Sequence, residues 1–149
     1  MIRNYSEFNT RFRAWHIDKK KLCDISAISI SKKAKRIGEV YVITDIINQE
    51  EYGEFIHKEN LVIMQSIGAN DRNERLIYEL DVVQTDSDGI GYDEMGVVVY
   101  DVDTEGSYML LKENSIGGFM LHDCEVIGNI FDEEFKDLYS KLAKKLGLE

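Results

Sequence analysis

Residues Leu61 to Val83 read LVIMQSIGANDRNERLIYELDVV, and the reading of this stretch decides the fold. Leu61 to Ile67 predicts a buried strand. Gly68, Asn70, Asp71 and Asn73 then supply residues that tolerate a left-handed backbone or cap their own turn. Leu76 to Val83 resumes the apolar pattern, with Asp81 set among Leu80, Val82 and Val83. Two apolar runs around a polar connection make a hairpin-like centre. The stretch contains no nucleophile with a base, no metal set and no phosphate loop, so it points to architecture rather than to a reaction.

Strand character continues on both sides. RFRAWH (Arg11 to His16) alternates with a period of two, placing Phe12 and Ala14 on one face and Arg11, Arg13 and Trp15 on the other. A lone Trp on such a strand is expected to turn inward against the central stretch. Lys19 to Lys21 form a polar turn, and LCDISAISIS follows as the second strand of a hairpin. Its apolar positions change parity between Ile25 and Ile28, which predicts a bend or bulge near Ala27. Lys32 to Arg36 is a charged connection, and EVYVITDII from Glu39 is a strand rich in β-branched residues. Asn48 to Asn60 shows no clear stripe and reads as irregular structure.

C-terminal to the centre, QTDSDGIGYDEM (84–95) reads as a polar loop. GVVVYDVDTEGSYMLL (96–111) reads as a hairpin that turns at Asp103 to Gly106, where Gly106 can take positive φ. CEVIGNIF is a last strand, with Gly128 where a neighbouring backbone could come close. The period then changes. Phe135, Leu138, Leu142 and Leu146 recur at three and four residues, which predicts a helix of roughly four turns. Asp132 stands at its N-cap, Glu133 and Glu134 lie in its first turn, and Gly147 stands at its end. That stripe covers either the β core or a second subunit. A homo-oligomer through the C-terminal helix is the sharper expectation.

The chain contains no proline, so turns fall to Gly, Asn, Asp and Lys. The expected fold is mainly β, a small barrel with hairpin embellishments and a C-terminal α-helix. It is expected as one domain over 1–149, with a β-rich body (1–131) and the helix (132–148). A chain of 149 residues buries roughly 70% of its unfolded surface, which supports one core. No apolar run approaches the ~20 residues of a membrane span. The N-terminus MIRNYSEFNT lacks an apolar signal region, so a cytoplasmic protein is expected, with no membrane partner. Cys23 and Cys124 then read as small buried thiols rather than a disulfide.

Charge is uneven. Up to Arg36, ten Lys and Arg stand against Glu7, Asp18 and Asp24, giving +7. The remainder carries −17, and the net is −10. Overall acidity argues against a general nucleic-acid binder. Such asymmetry can also steer a basic end toward an acidic face.

The chemical candidates fail one by one. DSDG and DVDTEG resemble calcium loops, but aligning Gly89 or Gly106 at the sixth position puts Met95 or Lys112 where the bidentate Glu is needed. His122 and Cys124 are two apart, with Cys23, His16 and His57 elsewhere, in no zinc-binding spacing. Cys23 and Cys124 sit in apolar strands, where a thiol is inert. No carboxylate pair is marked for acid–base work. The sequence therefore predicts no enzyme, no cofactor and no metal.

Three blocks carry a resemblance: RFRAW, IMQSIGANDRNERLIYELDVV and VIGNIF, with GVVVYD as a weaker fourth. In this order and spacing they resemble the YopX family of phage and prophage proteins. The matching residues include Arg13, Ala14, Trp15, Met64, Gln65, Gly68, Asp71, Asn73, Tyr78, Asp81, Gly128 and Asn129. Three positions depart from the family pattern. His16 replaces an acid, while Glu74 and Leu80 each replace a glycine, which puts the local turn geometry in question. The resemblance implies a mainly β fold related to small, partly open SH3-like barrels, and it implies no reaction.

The matching residues are expected to serve the fold: Trp15 and Tyr78 as core, Asp71, Asn73 and Asp81 as turn caps. The expected protein is a phage- or prophage-encoded, non-catalytic protein-interaction or assembly module in the cytoplasm of a bacterial host. Its partner would be a host or phage protein. Two alternatives stand beside it. One is a nucleic-acid-binding barrel that uses the basic N-terminal third. The other is an acidic decoy for a basic host protein.

Overall fold

A computed structural model of the chain describes residues 11–31, 36–86, 93–101, 103, 107–118 and 123–148. The turn at Gly106, the Lys32–Lys35 connection, the 87–92 segment and His122 lie outside them. The fold is mainly β, with two antiparallel sheets and one short C-terminal helix. Among the described residues neither sheet closes into a barrel. The chain forms two compact units, Met1–Gln65 and Ser66–Glu149.

The first unit holds β1 (Phe12–His16), β2 (Lys21–Ser31), β3 (Arg36–Ile47), β4 (Glu50–His57) and the start of β5 (Leu61–Asn70), in the order β4-β3-β2-β1-β5. β1 runs antiparallel to β2 and to β5, with Trp15 opposite Leu22 and Val62. The parity change in β2 is a real irregularity, because the register with β3 shifts between Ile25 and Ala27. One face of this sheet is apolar and buried, formed by Ala14, Cys23, Val40, Val42, Ile56 and Leu61.

Two expectations are corrected here. The 48–60 segment is not irregular: β3 and β4 form a hairpin, followed by a 3-10 turn at Lys58–Asn60. Its two-residue connection places Asn48 at φ 50° and Gln49 at φ 67°, the paired left-handed backbone of a type I′ turn. The strand was hidden because β4 buries only Ile56, so its sequence lacks an apolar alternation. Trp15 is half-buried rather than buried, because Ala14 and His16 take the inward positions of β1.

In the second unit, β5 continues and pairs with β6 (Leu76–Tyr78), Ser66 opposite Tyr78 and Asn70 opposite Leu76. The apolar run 76–83 is not one strand. It breaks at Glu79–Leu80, and β7 (Asp81–Asp86) joins a second sheet with β8 (Asp93–Asp101), β9 (Ser107–Leu111), β10 (Ile116–Gly117) and β11 (Cys124–Asn129). The order is β10-β9-β8-β7-β11. The ends of the expected 84–95 loop therefore belong to strands, with Asp86 opposite Asp93. Tyr78 is half-buried, since Ile77 takes the inward place on β6.

The second sheet is apolar on both faces. Val83, Val98, Leu110 and Val126 pack with Ile77 and Cys124 on one side. Val82 and Val97 pack with Ile130, Phe135 and Leu142 on the other, where Leu138, Tyr139 and Leu146 join them. The terminal helix is shorter than expected. A 3-10 turn at Glu133–Phe135 leads into α1 (Lys136–Leu142). Gly147 then sits at φ 70°, with its own amide bonded to the Lys144 carbonyl and the Leu148 amide to that of Ala143. That pattern is a Schellman stop. The helix stripe thus packs on the second sheet of its own unit, with Leu142 buried and Leu138, Tyr139 and Leu146 half-buried.

Candidate interaction surface

Of the residues in the family pattern, Asp71, Asn73, Tyr78, Asp81, Gly128 and Asn129 converge on two polar knots in the second unit. In the first, Asp71 is buried, and its Oδ1 accepts the amides of Asn73 and Arg75, both at 2.9 Å. Its Oδ2 accepts the Val126 amide of β11 at 2.8 Å. Burial alone raises this carboxyl, but the amides of Val126, Arg75 and Asn73 outweigh it and hold the group below its usual value. The Asn73 side chain, expected as a turn cap, instead reaches across to β11: with Arg72 it grips the Glu125 carboxylate, at 3.0 and 2.6 Å. The knot fastens the 71–75 turn to β11.

In the second knot, Asp81 accepts the Tyr78 amide at 2.9 Å and the Asn129 side-chain amide at 3.4 Å. Asn129 in turn accepts from the Phe131 amide and donates its own amide to Asp132 Oδ2, at 3.2 and 2.8 Å. The Asp132 carboxylate therefore faces back to β11 instead of capping the helix. Gly128 sits here because of a side chain rather than a neighbouring backbone. An added Cβ would lie 2.5 Å from the Phe135 ring and 2.7 Å from Asp132 Oδ2.

The lost family glycines change less than their replacement suggests. Glu74 and Leu80 keep the left-handed backbone, at φ 63° and 65°. Leu80 is held there by its amide bond to the Val98 carbonyl and by the Ile130 amide bonded to its own carbonyl. In the first unit, His16 Nδ1 accepts the Lys19 amide at 3.4 Å, a role open to the acid it replaces.

The carboxylates of Asp71, Asp81 and Asp132 in these knots each accept a backbone amide. Burial pushes both thiols, Cys23 and Cys124, above their usual range. No group of three His, Cys, Asp or Glu converges as metal ligands among the described residues. No helix among them is long and apolar enough to cross a membrane.

The most unusual surface lies on the first sheet, opposite its buried face. Register and alternation place Trp15, Leu22, Ala27, Tyr41, Ile43 and Phe55 there. Phe55 is 61% exposed and Ile46, near the hairpin end, 66%. Tyr41 and Phe55 meet edge to face at 4.9 Å. The Tyr41 ring lies over Gly53, whose absent side chain makes room for it: an added Cβ would approach that ring to 2.7 Å. A shallow groove of about 430 Å³ opens between Leu22, Asp24, Ile43 and Ile46.

Along the outer strand stand Glu50, Glu51 and Glu54. Lys19 bonds Glu54 at 2.6 Å and holds that carboxyl below its usual value. This surface is hard to see in the sequence because its outer strand is. The two-residue Asn48-Gln49 connection after a β-branched run was the signal available.

The family model described as "YopX protein" matches residues 11–134. Among solved structures, protein EF1440 from Enterococcus faecalis is 21% identical with a TM-score of 0.57, over 84% of this chain and 96% of that one. The protein yopX from Bacillus subtilis is 18% identical with a TM-score of 0.49, over 83% and 94%. At such identity the likeness to EF1440 concerns the fold. No curated protein matches the chain.

Proposed function

With residues 11–134 matching its model, the chain belongs to the YopX protein family, and on that premise we propose a non-catalytic protein-interaction module that binds through the outer face of its first sheet. The observation that carries this reading is the exposure of Phe55 and Ile46 beside Tyr41, on a sheet whose other face already supplies the core. Contiguous exposed apolar side chains on a sheet face mark contact sites, whereas isolated ones do not. The same proposal places the module in the cytoplasm of a bacterial host, encoded by a phage or prophage. It also relates the first sheet to partly open SH3-like barrels. The register shifts in β2 and β3 are the kind that bend such a sheet.

Site-specific photo-cross-linking in the host cytoplasm tests the reading. A photo-reactive residue at position 55 or 46 is expected to trap one discrete partner, and at exposed Ser140 of α1 to trap none. Equal, diffuse trapping at all three positions would sink it.

A further inference from the structure

Resting on that surface, we infer that β4 accepts an extended, basic segment of a partner protein as an added strand. Among the described residues β4 ends its sheet, with β3 on one side only. Edge strands are normally guarded by shortness, proline, a bulge in the strand itself or charged side chains. β4 has eight residues and no proline, and the register irregularity of this hairpin falls in β3, between Ile43 and Asp45. Its guard is charge, from Glu50, Glu51 and Glu54, which a basic strand would neutralise, and exposed aromatic rings stand beside it, Phe55 and the 48% exposed Tyr52.

Charge selects the occupant. A parallel, in-register β4-to-β4 pairing would set Glu50, Glu51 and Glu54 against their own copies, and an antiparallel one centred on Tyr52 would set Glu50 against Glu54; like charges across strands are destabilising. A second copy is therefore disfavoured in those registers, whereas a basic strand is favoured in any. A strand alternating Lys or Arg with apolar residues satisfies both features. By alternation along β4, Glu50 and Glu54 share one side and Phe55 takes the other, so the added strand's cations reach those two glutamates and its apolar side chains meet Phe55, while main-chain hydrogen bonds supply the rest. Lys19 already shows the pairing in miniature, bonded to Glu54.

The probe is a labelled eight-residue peptide of alternating Lys and Val, titrated into the intact protein at low salt and read by anisotropy. Saturable binding is expected, at least about tenfold tighter than for the Glu–Val counterpart. Two N-methylated versions, each blocking one set of alternate amides, should separate: one loses binding and the other keeps it. Glu50→Lys with Glu54→Lys should reverse the preference toward Glu–Val, with the circular dichroism spectrum unchanged.

Equal binding of both methylated peptides would reduce the effect to charge attraction and overturn the inference. So would an unchanged preference in the double variant. A two-chain mass abolished by Phe55→Ser would assign the edge to a second copy and overturn it as well. If position 55 still traps a partner while the peptide results fail, the surface reading stands and strand addition falls.

Discussion

Asp71 and Val126 lie 55 positions apart, and a single 2.8 Å hydrogen bond joins the carboxylate of one to the amide of the other. The bond ties the central turn to β11, and the same carboxylate organises that turn through Asn73 and Arg75. Asp71→Ala would leave three amides without their acceptor. The expected cost is about 3 kcal/mol or more, measured by urea unfolding.

Acidification tests the same group without altering its shape. Its folded carboxyl lies below the ordinary value, so the stability it contributes is complete above the unfolded value of about 3.9. That contribution is lost as pH falls through the folded value. Asp71→Asn should therefore start less stable at neutral pH and show a flatter stability profile below pH ~4. Parallel profiles for the two proteins would contradict this account.

Gly128 is required by the Phe135 ring. Gly128→Ala should destabilise by about 1–3 kcal/mol, because its methyl group would overlap that ring. Phe135→Leu should recover part of the loss in a double-mutant cycle by thermal melting.

Glu74 and Leu80 carry a backbone that glycine adopts freely. Glu74 is exposed, so Glu74→Gly should stabilise by up to about 1 kcal/mol in chemical denaturation. Leu80 packs against the helix-side cluster, so Leu80→Gly trades relief of strain for lost apolar contact. Its net effect should be neutral or destabilising.

Leu138→Lys combined with Leu142→Lys puts one charge in a fully buried site and one in a half-buried site of the second unit. The cost should be several kcal/mol, seen as unfolding by circular dichroism. Light scattering beside it should show no folded assembly dissociating into smaller, intact chains.

Trp15 is half-buried, so its fluorescence maximum should fall between those of exposed and fully buried indole. Trp15→Ala should cost about 2 kcal/mol, short of the 3–5 typical of a core aromatic.

The sequence by itself determined what depends on neighbours along the chain. Alternation in Phe12–His16 and the parity change near Ala27 became a strand and a register shift. Asp71 and Asp81 became caps because a short carboxylate reaches amides within a few residues. Gly147 took the positive φ that closes the turns after α1, and the family blocks identified the family.

Only the tertiary structure decided which partner each apolar face found. Alternation assigns Trp15 to a face but not that face to the interior, and Ala14 and His16 were turned inward instead. The stripe on α1 was legible, but its occupant was Val82 and Val97 of the same unit. Glu74 and Leu80 hold glycine-like backbone because surrounding hydrogen bonds fix the path before side-chain preference can act; for Leu80 these come from Val98 and Ile130. The candidate surface was the least legible of all. β4 faces its core with Ile56 alone, and pairing with β3 rather than its own composition makes it a strand.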